Sequence, residues 1–308
     1  MSIAELYLSR SNMVFGGIEA HPRDSVALII GVPYDHTSSY RPGSRFGPQA
    51  IRSAANNIEF YSLRSSLDVD EYKISDLGDI VLPINPRDAI HRIERVVYEV
   101  KNSYNNKLVI ALGGEHTITI ATYSAMRRIS DACLLVFDAH FDLRDQYMED
   151  TLSHACVLRR IVERYGSSNV MVVGVRAFTR EELDYARKVG IEYITPIDLR
   201  LIGIRGVVNK ITRWLRSNCN KVYVSIDMDV FDPAYAPGVG NPEPDGLAPW
   251  QVFDILHKTI LESNVDLVMA DIVEVTPLQD CGGITSILAA KTAVELVALK
   301  ISSSRRRQ

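Results

Sequence analysis

The sequence predicts an α/β protein with a mostly parallel sheet covered by helices on both faces. Three observations carry this. Six short runs are almost continuously apolar and rich in Val, Ile and Leu, as strands buried on both faces are. Longer segments with helical periodicity separate them, and such alternation marks parallel sheets. Polar residues gather just past the ends of the runs, where open α/β sheets carry their ligand crevice.

The runs are 25–32, 107–112, 133–137, 170–175, 222–226 and 267–275. The helical segments are 88–104, 117–129, 155–165, 180–189, 206–217, 249–262 and 285–300. In the first helix Ile90, Ile93, Val96, Val97 and Val100 fall on one face, and Pro249 suits a first helical turn. No linker, low-complexity stretch or repeat breaks the pattern, so residues 1–308 read as one domain. Hydrophobic content of 46% and charged content of 23% support a full core. A net charge of −4 argues against a nucleic-acid partner. No apolar run reaches the ~20 residues of a membrane helix, and Glu5 and Arg10 break the N-terminal segment as a signal peptide. The four cysteines are widely spaced without a CxxC. They read as reduced thiols in a cytoplasmic protein, with Cys133 and Cys156 as small buried hydrophobes. Arg305–Arg307 read as a solvated, frayed tail.

The chemistry sits at four run ends. GGEH at 113–116, DAHFD at 138–142 and SIDMD at 225–229 bring His116, Asp138, His140, Asp142, Asp227 and Asp229, and the last run brings Glu274. Side chains at i and i+2 share a face in extended backbone, so Asp138, His140 and Asp142 should converge, as should Asp227 and Asp229. Two imidazoles and four carboxylates can bridge two divalent cations, which defines a two-metal hydrolase. Without cations such packed carboxylates would repel. Two metals about 3.5–4 Å apart acidify a shared water enough to make it a nucleophile near neutral pH. A helix-cap role for Asp138 and Asp227 is the poorer reading. Gly113 and Gly114 should let backbone pass close to the ligands. Glu115 and Asp271 read as supports behind the site and Asp232 as a loop support. His36 lies in a loop block, while His21, His91 and His257 read as surface or packing residues.

These strings resemble the ureohydrolase (arginase/agmatinase) superfamily, and most closely its agmatinase branch. The resemblance spans GVPYDHTSSYRPGSRFGPQAIR (31–52), GGEHTIT (113–119), DAHFDLRD (138–145), SHA (153–155), SIDMDVFDPAYAPGVGNPEPDGL (225–247) and EVTP (274–277), in family order. It implies a three-layer α/β/α domain around a parallel eight-stranded sheet, assembled as a homotrimer or homohexamer. It also implies two Mn2+ per chain. His116, Asp138, Asp142 and Asp227 would hold one ion; Asp138, His140, Asp227 and Asp229 would hold the other. Oxygen and imidazole donors without thiolate suit such ions. The resemblance gives Glu274 a guanidinium clamp, Asp142 a proton relay to the leaving nitrogen and His154 a shuttle or substrate contact.

The expected reaction is agmatine plus water to putrescine plus urea. The segment 143–154 holds Asp145, Glu149 and Asp150 against Arg144. An acidic loop there would favour a substrate without a carboxylate. GNPEPDG departs from the family's GTPEPGG-like string at Asn241 and Asp245, and Phe141 stands where Thr or Ala is frequent; Phe141 should point away from the metals. The rivals are arginase, formimidoylglutamase or guanidinobutyrase activity, a one-zinc polyamine deacetylase-like amidohydrolase and, last, a non-enzymatic binding protein.

Overall fold

The structure, a computed structural model, describes residues 2–17 and 19–307. In chain order the strands are β1 (Leu8–Ser9), β2 (Ala27–Val32), β3 (Tyr61–Ser62), β4 (Leu67–Asp68), β5 (Ile74–Ile80), β6 (Leu108–Gly113), β7 (Ala132–Phe137), β8 (Val170–Val173), β9 (Glu192–Ile194), β10 (Lys221–Asp227) and β11 (Asp266–Val273). The helices are α1 (Ile3–Tyr7), α2 (Gly47–Ala55), α3 (Pro86–Ser103), α4 (Ile118–Arg127), α5 (Val157–Tyr165), α6 (Arg180–Val189), α7 (Pro196–Asn218), α8 (Pro249–Ser263) and α9 (Ile284–Arg307). Among the described residues one sheet runs β1-β5-β2-β6-β11-β10-β7-β8-β9, with only β1 antiparallel to its neighbour. The eight parallel strands match the expectation; the ninth is the two-residue edge β1. β3 and β4 form a separate small hairpin.

Every apolar run became a strand with both faces covered. The core accordingly divides in two, one hydrophobic layer on each side of the sheet. Four strands that end in site residues, β6, β11, β10 and β7, are consecutive in the sheet. Their register aligns Leu112, Ile272, Ile226 and Phe137 in one row. All four are fully buried, so Gly113, Asp227 and Asp138 emerge one step later on a common edge. This alignment is what makes distant sequence strings meet.

Several elements went unread or were read short, β5, α2 and the start of α7 among them. β5, ISDLGDI, carries two aspartates and a glycine. Those acids are paired: buried Arg52 of α2 donates to Asp76 at 2.7 and 2.9 Å and to Asp79 at 2.6 Å. Helix α2 is short, and α7 starts ten residues before the expected segment, with a break at Gly203 (φ 67°). The tail is not frayed. α9 continues through Arg307, whose guanidinium binds Val265 O at 2.7 Å and Asp266 at 2.6 Å, and Arg305 reaches Tyr72. Arg307 is therefore docked, while Arg305 and Arg306 stay exposed on the last turn of an ordered helix.

The cysteine expectation is overturned for one pair. Cys133, at the start of β7, is bonded to Cys219, just past α7, across 86 residues with Cα atoms 5.9 Å apart. Cys156 and Cys281 are free. Spacing along the chain could not reveal a pair that only the α7–β10 connection brings together. Among the described residues no helix is long and apolar enough to cross a membrane.

Candidate active site

The site residues converge, though not by strand alternation. β7 ends at Phe137, and Asp138–Asp142 form a loop in which Asp142 adopts a left-handed backbone (φ 50°). β10 ends at Asp227, and Asp229 sits in the short 3-10 turn that follows. Asp138 accepts the His140 backbone N–H at 2.6 Å, and Asp227 accepts that of Asp229 at 2.9 Å. Asp227 therefore caps the short turn, the role judged poorer from sequence, while Asp138 closes a loop turn with no helix behind it; both face the site as well. A carboxylate has enough acceptor sites for both.

The division of labour repeats three times. Oδ1 of Asp138, Asp227 and Asp229 accepts a backbone N–H, that of Asp229 coming from Ala139 at 3.1 Å. Their Oδ2 atoms face imidazoles: Asp138 and Asp227 lie 3.0 and 3.4 Å from His116 Nδ1, and Asp229 lies 2.9 Å from His140 Nδ1. Asp142 Oδ2 is 2.9 Å from His116 Nδ1.

Support comes from behind. Ser225 on β10 and Asp271 on β11 are register partners, and Ser225 Oγ donates to Asp271 Oδ1 at 2.5 Å. Tyr223 and Thr119 donate to Asp271 Oδ2 at 2.5 and 2.7 Å. With its proton spent, Ser225 Oγ must accept from His116 Nε2, 3.1 Å away. His116 thereby donates its Nε2 proton to Ser225 and aims Nδ1 at three carboxylate oxygens; against burial, Asp138 and Asp142 among them hold the ring's pKa well above its ordinary value. So many buried carboxylate oxygens around one point call for positive charge, a proton on His116 or a metal cation in its place. Asp138 Oδ2 makes the same point, being buried without a hydrogen-bond donor. Burial, then Asp138, pushes the Asp142 carboxyl up to about 7; burial, then Asp229 and Asp138, pushes Asp227 well above the carboxylate range. Among the described residues two groups could each hold a metal ion, His116 with Asp138 and Asp142, and Asp138 with His140 and Asp229, each with ligand atoms within 4.8 Å of one another. Asp138 belongs to both. Oxygen and imidazole donors fit divalent cations of the manganese type.

Glu274 is buried just past β11, also in left-handed backbone (φ 65°). Its Oε1 accepts the His116 backbone N–H at 2.7 Å. Strain of this kind at two site carboxylates is a functional signature. His154 lies on the wall of the same cavity, with Asp142, Asp227, Asp229 and Glu274; the cavity holds about 420 Å3. Phe141 turns away as expected, packing on Phe178 and Tyr193 at 5.0 and 5.1 Å. Asp232 supports its loop through the Ala234 and Gly246 N–H groups.

Two expectations fail here. The glycines yield to packing neighbours rather than to the ligands: a Cβ on Gly114 would lie 1.7 Å from Tyr34 O, and one on Gly113 would meet Val273 and Ile118 at 2.6 and 2.7 Å. The acidic segment does not face the cavity. Asp145 is exposed and pairs with Arg160 at 2.8 Å, Glu149 is exposed, and Asp150 accepts the Leu152 N–H. Arg144 and Tyr147 line the wall instead.

Arg176, Glu182 and Glu243 also line the cavity and were not singled out, although Glu243 stands within GNPEPDG. Arg176 donates to the carbonyls of Gly174, Asp229, Val230, Phe231, Glu243 and Pro244 at 2.7–3.4 Å. It staples the 241–245 loop to the turn after β10. Its place just past β8 was the available signal. Glu182 is spent on the capping box of α6 and lies 3.8 Å from Arg144.

Residues 25–298 match the profile of the Arginase family. The agmatinase of Pyrococcus horikoshii is 39% identical over 277 residues, covering 90% of this chain and 93% of its own length. The N(1)-aminopropylagmatine ureohydrolase of Thermococcus kodakarensis is 36% identical, covering 88% and 89%. The crystal structure of the agmatine ureohydrolase of Thermoplasma volcanium superimposes with a TM-score of 0.85 at 33% identity, covering 97% and 98%. Fold and site thus define a hydrolytic enzyme of the ureohydrolase type. The chain belongs to the arginase family.

Proposed function

We propose that this chain hydrolyses agmatine to putrescine and urea, using two Mn2+ ions held by His116, Asp138, His140, Asp142, Asp227 and Asp229. The observation that carries the reading is the convergence of His116 Nδ1 with the buried Oδ2 atoms of Asp138, Asp142 and Asp227 at one point. When bound, the ions supply an acidified water as the nucleophile near neutral pH. Glu274 orients the planar guanidinium, to which a carboxylate offers a two-bond fork. Asp142 and His154 handle the proton that must reach the leaving amine as the C–N bond breaks.

The tail preference rests on charge left over in the cavity wall. Arg176 is spent on carbonyls and Arg144 lies beside Glu182, while the Glu243 carboxylate, among the described residues, has no ion-pair or hydrogen-bond donor. It suits the distal ammonium of agmatine, and the names of the relatives agree with it. An aminopropyl-extended agmatine is the second reading, favoured by the Thermococcus relative. Residues 1–308 acting as a single domain, a homotrimer or homohexamer, a cytoplasmic location and a role in polyamine biosynthesis complete the proposal.

The test is urea release from agmatine, aminopropylagmatine, arginine, guanidinobutyrate and formimidoylglutamate, before and after chelator dialysis and Mn2+ restoration. Agmatine should be turned over fastest, and Asp229→Ala should be folded yet nearly inactive. Glu243→Gln should weaken agmatine while sparing butylguanidine, which lacks the distal amine. Faster urea release from arginine would refute the assignment, and one zinc per chain would favour the amidohydrolase alternative.

A further inference from the structure

We propose that Glu115 and Thr37 are positioning residues that fix His154 as the tautomer protonated at Nδ1, leaving Nε2 a bare acceptor on the cavity wall. Glu115 is fully buried and its four acceptor sites are filled. Oε1 takes the hydroxyls of Thr37 and Thr117, each at 2.6 Å; Oε2 takes the Thr37 backbone N–H at 2.7 Å and the Ser38 hydroxyl at 3.4 Å. An ionised carboxylate only accepts, so the single hydroxyl proton of Thr37 is committed to Glu115.

Thr37 Oγ1 is then an acceptor on its other side. It receives the His154 backbone N–H at 3.0 Å and faces His154 Nδ1 at 3.2 Å. That contact is a hydrogen bond only if Nδ1 carries the proton. Nε2, 3.4 Å from Ser39 Oγ, is left with its lone pair, and Ser39 lines the same cavity. The arrangement mirrors Ser225 and Asp271 behind His116 but selects the opposite nitrogen.

The consequence rests on the proposed function: His154 meets a guanidinium N–H or an arriving proton as an acceptor and donates from Nε2 only afterwards. The tautomer itself does not depend on that reading. Glu115→Gln should invert it. The amide oxygen must stay on the Thr37 N–H, which cannot accept, so the NH2 turns to the hydroxyls of Thr37 and Thr117. Thr37 then accepts from the amide and donates to Nδ1, moving the ring proton to Nε2.

Neutron diffraction from deuterium-exchanged crystals of the Mn2+-loaded protein at pH 8 reads this directly. Deuterium should sit on Nδ1 alone in the wild type and in Thr37→Ser, and on Nε2 in Glu115→Gln. Should Glu115→Gln fail to fold, Thr37→Val, which removes the acceptor while keeping the shape, should show the same move. Deuterium on Nε2 of the wild type, or unmoved in the variants, overturns the proposal. In urea-release assays Glu115→Gln should lower kcat/KM by about 100-fold, the lower range for acid–base groups, with Thr37→Ser close to wild type; equal losses in both would overturn the positioning role. No urea from the wild type with any guanidino compound would sink the proposed function, while the diffraction would still decide the tautomer.

Discussion

Cys219→Ser isolates the disulfide, because Cys219 lies at a helix end whereas Cys133 is fully buried in the sheet. The bond closes a loop of 86 residues. On the chain-entropy account this removes roughly 15 cal/mol/K from the unfolded ensemble, about 4.6 kcal/mol at 25 °C. An unfolding entropy of about 2.1 cal/mol/K per residue gives roughly 650 cal/mol/K for this chain, so Tm should fall by about 7 °C. Scanning calorimetry of the wild type, the wild type with reductant and Cys219→Ser should show the same drop in the last two, with no further drop when reductant meets the variant. Thiol titration of the denatured protein should count two free cysteines, Cys156 and Cys281, before reduction. Four thiols before reduction, or a Tm indifferent to both perturbations, would refute the reasoning.

Other outcomes follow from buried polar groups. Ser225→Ala removes the acceptor of His116 Nε2 but leaves Asp271 its bonds from Tyr223 and Thr119; metal affinity measured by calorimetric titration should weaken about 10- to 100-fold. Arg52→Met strands Asp76, whose side chain is 2% exposed, and should cost about 3–5 kcal/mol in urea unfolding; adding Asp76→Asn should return much of it. Lys101 is buried and donates to the carbonyls of Asn105 and Lys107 at 2.9 and 2.6 Å, two acceptors for the two hydrogens of a neutral amine. Burial, then Lys300, lowers it from 10.5 to about 7. Between those values the unfolded chain binds the proton and the fold does not, so this contribution is complete above pH 10.5, is lost as pH falls to about 7 and is flat below. Lys101→Met should flatten the rise of stability from pH 7 to 10 seen by denaturant titration.

The layers of the fold were readable because strands buried on both faces leave nearly unbroken apolar runs, as in ACLLVF of β7. β5 was not, since its aspartates are neutralised by Arg52, a partner 24 and 27 residues away. The candidate metal cluster was readable from GGEH, DAHFD and SIDMD as strings, but they converge through loops and turns rather than strand pleat. Net charge along 143–154 misled, because charge on a loop says nothing about which way it faces. Arg176 was invisible since its role is to grip carbonyls, which every residue possesses.

Each of Asp138, Asp227 and Asp229 anchors its own loop through Oδ1. The scaffold of the candidate metal site is thus clamped by amides that hold it without help from any ion. On the proposed two-metal reading, exchange of one divalent ion for another becomes a local swap within a standing frame, and a stripped protein should take up ions quickly, with no slow rebuilding of the loops.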